Sequence, residues 1–139
     1  MAGQSYRDLI VWQRAMDLMF AIHEITLNWP RPERFETTSQ VRRAASSVPA
    51  NIAEGQGRQS LREFLHHVSI ANGSLYELET HLIGANRFGY LSAQELDSLL
   101  NRSAEVGRLL HGLMRNLRLR SQPKQAAGRR SRAPLATDY

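Results

Sequence analysis

A cysteine-free chain of 139 residues has the size of one domain, long enough to bury a core, and it excludes disulfides and thiolate metal sites, which favours a reducing cytoplasm. No apolar run nears the eighteen or so residues of a membrane span, and MAGQSYRDLIVWQRAMDL meets charge too early for a signal peptide. The basic pI of about 10.4 is unevenly placed: up to Met114, 11 arginines face 12 acidic residues, whereas from Arg115 onward six arginines and Lys124 face only Asp138.

The first helix is expected over residues 6–28, opened by Ser5-Tyr6-Arg7-Asp8, a loose form of the reciprocal capping box. It carries two apolar seams: Val11, Ala15, Leu18, Ile22, Ile25 and Trp29, and beside it Leu9, Trp12, Met16 and Met19. So wide a stripe either sits centrally in a bundle or faces another subunit in part. Pro30 and Pro32 stop it.

The second helix, 38–54, starts at the box Thr37-Thr38-Ser39-Gln40 and keeps helical spacing through Val41, Ala44, Ala45, Val48 and Ile52, straight across Pro49. A proline there loses one hydrogen bond and clashes with the carbonyl four residues back, at a cost of about 3 kcal/mol. That carbonyl belongs to the small Ala45, and Ser46 and Ser47 can lend hydroxyls to freed groups, so a kinked helix ending at Gly55 is expected. Gly57 then turns the chain toward Ser60.

The third helix, 61–87, begins with the box Ser60-Leu61-Arg62-Glu63 and runs Leu61, Phe64, Val68, Ala71, Leu75, Leu78, Leu82, Ala85 at spacings of three and four. Gly89 ends it. The fourth, 93–120, begins with Ser92-Ala93-Gln94-Glu95 and runs Leu96, Leu99, Ser103, Val106, Leu110, Leu113, Leu117. Residues 121–139, led by Pro123, lose this periodicity and form a basic tail expected to be disordered. With no strand pattern and short connections, the chain predicts an all-α, antiparallel up-down-up-down four-helix bundle over residues 1–120. Phe35, Phe88, Tyr90 and Leu91 are placed to plug its ends.

The stretch SVPANIAEGQGR (47–58) has the composition of a site, yet it lacks GxxxxGK[ST] and follows no strand, so it reads as a helix end rather than a phosphate loop. Arg58 and Arg62 beside a helix start could still hold an anion. Pro49, Asn51, Glu54, Gly55 and Gly57 are therefore structural candidates. Asn51 and Glu54 either bond across to positions such as Asn72 and Ser74 or are solvated. Ala44, Ala45, Ala71, Gly73 and Gly84 would permit close helix approach.

A di-iron bundle needs two Glu-x-x-His pairs; one exists, Glu63-Phe64-Leu65-His66, and Glu63 already serves a cap, while Glu77 and His81 are spaced by four. No serine sits at an elbow motif, so no metal, no cofactor and no enzymatic activity are expected. The nucleic-acid candidates are Arg42, Arg43, Arg58, Arg62, Arg115, Arg118, Arg120, Lys124, Arg129, Arg130 and Arg132. The competing reading of the paired Arg42 and Arg43 is salt bridging within the bundle or between subunits. No aromatic-interleaved RNA-reading motif is present, so binding would follow shape and charge.

DLIVWQRAMDL (8–18), TSQVRRAASSVPANIAEGQGR (38–58), EFLHHVSIANGSLYELETHL (63–82) and FGYL (88–91) closely resemble the bacterial four-helix-bundle family named for proteins encoded in 23S rRNA intervening sequences. That family is similar in turn to the accessory variability determinant of diversity-generating retroelements. The resemblance covers about residues 5–118 and implies an antiparallel four-helix bundle, a homopentamer and nucleic-acid binding. In the retroelement relatives it implies a reverse-transcriptase partner and a basic surface. The family's usual RFGLTSQ is here RFETTSQ (34–40), which makes that corner more acidic through Glu36, and its ETQL is ETHL (79–82). The arginine-rich tail lies outside the resemblance.

Overall fold

The computed structural model describes residues 5–31 and 36–122. Within them lie a 3-10 turn (Tyr6–Asp8) and four α-helices: α1 (Ile10–Thr26), α2 (Thr37–Gln56), α3 (Leu61–Arg87) and α4 (Ala93–Ser121). No strand occurs among the described residues. α1 packs on α2 and α4, and α3 packs on α2 and α4, closing the four-helix bundle. As α2 advances from Ser47 through Asn51 to Gly55, its partners on α3 step back from Ser74 through His67 to Phe64. α4 steps forward from Ser103 through Gly107 to Met114 as its α3 partners step back from Glu79 through Leu75 to Ser69.

The apolar seams become the core. Leu18, Ile22, Val41, Val48, Ile52, Val68, Leu75, Leu78, Leu82, Val106, Leu110 and Leu117 are almost wholly buried. In α4 the seam steps from Leu110 to Met114 and then Leu117, so Met114 is buried where Leu113 was expected, and Leu113 is half-buried. Ser103 is the polar residue in that seam, and its hydroxyl donates to the Glu79 carboxylate on α3. Ser103→Ala leaves that half-buried carboxylate unpaired, and urea unfolding should show a loss of about 1–2 kcal/mol. A loss near zero would mean that water already serves Glu79.

Several boundaries differ from expectation. The Ser5 box is complete, with the hydroxyl accepting from Arg7 N and Asp8 reaching back to Ser5 N, but it caps the 3-10 turn. Leu9 then adopts extended backbone (φ −75°, ψ 125°), so α1 starts at Ile10 rather than at residue 6. α1 closes at Thr26, whose hydroxyl donates back to the Ile22 and His23 carbonyls at 2.8 and 2.9 Å. The Thr37–Gln40 box does not form: Glu36 is the N-cap, without a side-chain cap bond, because Thr37 already lies inside the helix. Ser60 accepts from Glu63 N, and Ser92 and Glu95 complete a reciprocal box.

Tyr90 rests against Trp29, ring centroids 5.9 Å apart, and Leu91 is buried, its carbonyl accepting from Asn86 at 2.9 Å. Phe88 does not plug the bundle; it is 64% exposed, because the turn at Gly89 (φ +88°) sends Tyr90 and Leu91 inward instead. Only glycine adopts that backbone without strain. Phe35 and the expected tail beyond Gln122 lie outside the described residues.

Candidate nucleic-acid interface

The SVPANIAEGQGR stretch forms the C-terminal half of α2, and the helix passes through Pro49 and continues to Gln56, two residues past the expected end. Gly55 is therefore interior. A Cβ there would stand 2.7 Å from His67 Cβ and 3.2 Å from the Phe64 carbonyl, so it is the glycine at which α2 and α3 approach closely. Gly73 and Gly84, expected to do this, have nothing within 4 Å of such a Cβ, because both lie off the buried face of α3. Ala44, Ala45 and Ala71 are buried as expected.

The serines do not serve Pro49 as expected. Ser46 donates to the Arg43 carbonyl at 3.1 Å, and Ser47 crosses to Ser74 on α3 at 2.8 Å. Asn51 joins that pair: its Nδ2 donates to the Ser47 carbonyl and hydroxyl at 2.9 and 3.0 Å, while its Oδ1 meets His67 Nδ1 at 3.2 Å. The other His67 nitrogen lies 3.8 Å from Glu54, which accepts from Arg58 at 2.7 Å. The Arg58 hydrogen bond, and after it the charge of His67, hold the Glu54 carboxyl below its ordinary range. Asn51 thus does bond across to α3, through Ser47 to Ser74 and directly to His67, which sequence reasoning did not single out. Asn72 is not its partner; its Oδ1 is buried without one among the described residues. This seam fixes the α2–α3 register, and Asn51 rather than a serine faces His67 Nδ1.

The fold divides the candidate arginines into two groups. Carrying the α3–α4 register outward from Ser69 and Met114 sets Arg62 level with Arg120. Arg58, Arg62, Arg115, Arg118 and Arg120 therefore gather at one end of the bundle. Arg58 is committed to Glu54, whereas Arg62, Arg115, Arg118 and Arg120 are exposed and have no acidic partner among the described residues. Arg108 and His111 precede Arg115 and Arg118 at spacings of three and four and so share their face of α4. Between Glu105 and the end of α4 there is no acidic residue. That acid-free run was the available signal for Arg108 and His111, which a charge tally divided at Arg115 passes over. Lys124, Arg129, Arg130 and Arg132 lie outside the described residues.

Arg42 and Arg43 lie toward the other end of α2, from which Arg42 to Gln56 spans about 21 Å. Arg42 is held against the end of α1: its Nε donates to Thr26 Oγ1 at 2.8 Å and one Nη to the His23 carbonyl at 3.5 Å. Arg43 donates to Ser39 Oγ at 3.0 Å. Neither makes an ion pair among the described residues. Both line an open groove of about 620 Å³ with Thr26, Thr38, Ser39 and Ser46.

Among the described residues no three acidic or histidine side chains gather as a metal site, and no helix is long and apolar enough to cross a membrane. The helices and the basic end define an all-α four-helix-bundle protein. The chain belongs to the 23S rRNA-intervening sequence protein family, whose model matches residues 7–112. It is similar to a crystal structure of a protein of unknown function from the S23 ribosomal protein family of Bacteroides thetaiotaomicron VPI-5482. That likeness has a TM-score of 0.68 and 25% identity, and covers 76% of this chain and 98% of the other. No curated protein matches.

Proposed function

We propose that the protein is a non-enzymatic, cytoplasmic helical bundle that binds structured RNA or DNA through the basic end of the bundle and its arginine-rich tail. The observation that carries this is the acid-free second half of α4, where Arg108, Arg115 and Arg118 share a face and Arg62 stands level with Arg120, all without acidic partners among the described residues. Such a surface recognises phosphates by charge and shape, and counterion release makes its affinity fall steeply with salt.

Self-association into a ring, the homopentamer that the family resemblance implies, belongs to the same reading. Phe20 and Leu27 on and just past α1 are 56% and 61% exposed, and the seam of Leu9, Trp12, Met16 and Met19 is only half-buried. A ring multiplies the basic end, so several weak phosphate contacts act together. The same apolar exposure favours a second reading, an accessory scaffold for a protein partner such as a reverse transcriptase.

The test is a salt-titrated binding measurement on the full chain with structured RNA and with duplex DNA. The expected log–log slope for duplex DNA is about −0.9 per phosphate contacted. Arg115→Glu with Arg118→Glu should reduce both affinity and slope, and removal of residues after Gln122 should weaken binding without abolishing it. Absence of salt-sensitive binding by the full chain rejects the nucleic-acid reading and leaves the scaffold. Binding that vanishes with the tail alone rejects α4 as the contact.

A further inference from the structure

We propose that the groove between the end of α1 and the start of α2 binds a phosphate monoester carried by a small polar molecule. Its lining brings two arginines, Arg42 and Arg43, together with Thr26, Thr38, Ser39 and Ser46, and includes no acidic residue among the described residues. At about 620 Å³ it exceeds a lone phosphate and matches the size of small-molecule sites, which points to a nucleotide-sized ligand.

Three further features make it a binding site rather than a basic dent. The start of α2 has no side-chain cap among the described residues: Glu36 makes no cap bond to the N–H groups of the first turn, which lie beside the groove. Those groups and the positive end of the helix dipole favour an anion. Thr38, which lines the groove, is only 3% exposed, yet its Oγ1 has no hydrogen-bond partner among the described residues. A buried hydroxyl left without a partner is costly unless a ligand satisfies it. Arg42, finally, is already fixed: its bonds to Thr26 Oγ1 and the His23 carbonyl hold the guanidinium plane at the wall, with one Nη left over. Part of the ordering cost of binding is therefore met before the ligand arrives.

This inference does not rest on the nucleic-acid reading. The groove uses no arginine of α3 or α4 and lies toward the opposite end of α2 from Arg58. The ligand chemistry is shared by a free nucleotide and by the 5′-phosphate of a nucleic-acid end, and the experiment separates these sources.

Calorimetric titration of the full chain at constant ionic strength should show 5′-AMP and, more weakly, inorganic phosphate binding, and adenosine not binding. Arg43→Gln should weaken 5′-AMP about tenfold, as expected for loss of one charge-assisted contact. Thr38→Val should raise the thermal midpoint of the free protein, by removing the unsatisfied hydroxyl, while weakening 5′-AMP. Arg115→Glu with Arg118→Glu should leave the 5′-AMP affinity unchanged. Competition by a 5′-phosphorylated but not a 5′-hydroxyl oligonucleotide would identify a nucleic-acid end, and its absence a free nucleotide; either supports the site. Equal binding of adenosine, full retention of affinity in Arg43→Gln, or no binding of either phosphate compound overturns it.

Discussion

Gly55→Leu is expected to destabilise the bundle by about 3 kcal/mol, the upper end of ordinary overpacking costs. The first added atom would already stand 2.7 Å from His67 Cβ, 3.0 Å from Phe64 Cδ1 and 3.2 Å from the Phe64 carbonyl. Two of these are a Cβ fixed directly to the backbone and a backbone oxygen, which do not swing aside as the tip of a long side chain does. α2 and α3 must part, and the Asn51–His67 and Ser47–Ser74 bonds that cross between them part too. Gly55→Ala tests the argument more sharply. Alanine gains about 1 kcal/mol over glycine inside a helix, so the clash must exceed that gain for the variant to lose stability. A net loss of about 1–2 kcal/mol is expected in urea unfolding, consistent with the overpacking range. A rise in stability would show that the close approach of α2 and α3 does not exist.

Leu78→Ala should cost about 2–5 kcal/mol, the range for deleting a wholly buried leucine. α3 is gripped on two sides, by α2 through Ser74 and His67 and by α4 through Glu79, Leu75 and Ser69. A void at Leu78 therefore has little freedom to collapse. Set against a typical domain stability of about 5–15 kcal/mol, the loss is large enough to read without ambiguity. Ile83→Ala, on the same helix but 42% exposed, should cost less than about 1 kcal/mol. Comparable losses at the two positions would refute the assignment of the α3 core face.

The helices were legible because their signals are local and repeated. Val68, Ala71, Leu75, Leu78, Leu82 and Ala85 recur at spacings of three and four, and all six are buried. Ser92 and Glu95 mark the start of α4 within four residues, and both halves of the cap form. What was misread depends on distance across the fold. Ser5 and Asp8 do close a cap, but nothing in those residues says that Leu9 extends before α1 begins. Gly55 looked like a terminus because glycine commonly follows a helix. Its actual reason, the approach of His67 and Phe64, lies twelve and nine residues further on, in another helix. Asn51 posed the same problem: its spacing allowed a bond to α3, toward positions such as Asn72 and Ser74, without pointing to His67.

The candidate site was legible as charge and illegible as arrangement. Arg42 and Arg43 look equivalent in sequence, yet Arg42 is bonded to the end of α1 and Arg43 to its own helix. Arg58 looked like a free cation and is tied to Glu54. Arg62 and Arg120, far apart in the chain, come level with one another only through the register of α3 against α4.

The placement of the α4 cations also divides them by what keeps them there. Arg118 and Arg120 occupy the last turn, where the helix presents its negative pole, so they lower the energy of the folded helix with or without a partner. Arg108 and Arg115 lie before that turn, beyond the short reach of the pole, and gain nothing from it. Charge at the helix terminus is thus explained by self-preservation, and its presence in a relative is a poor witness to any partner. Charge in mid-helix has no such excuse, and Arg108 and Arg115 are the positions whose retention or loss would report what this surface touches.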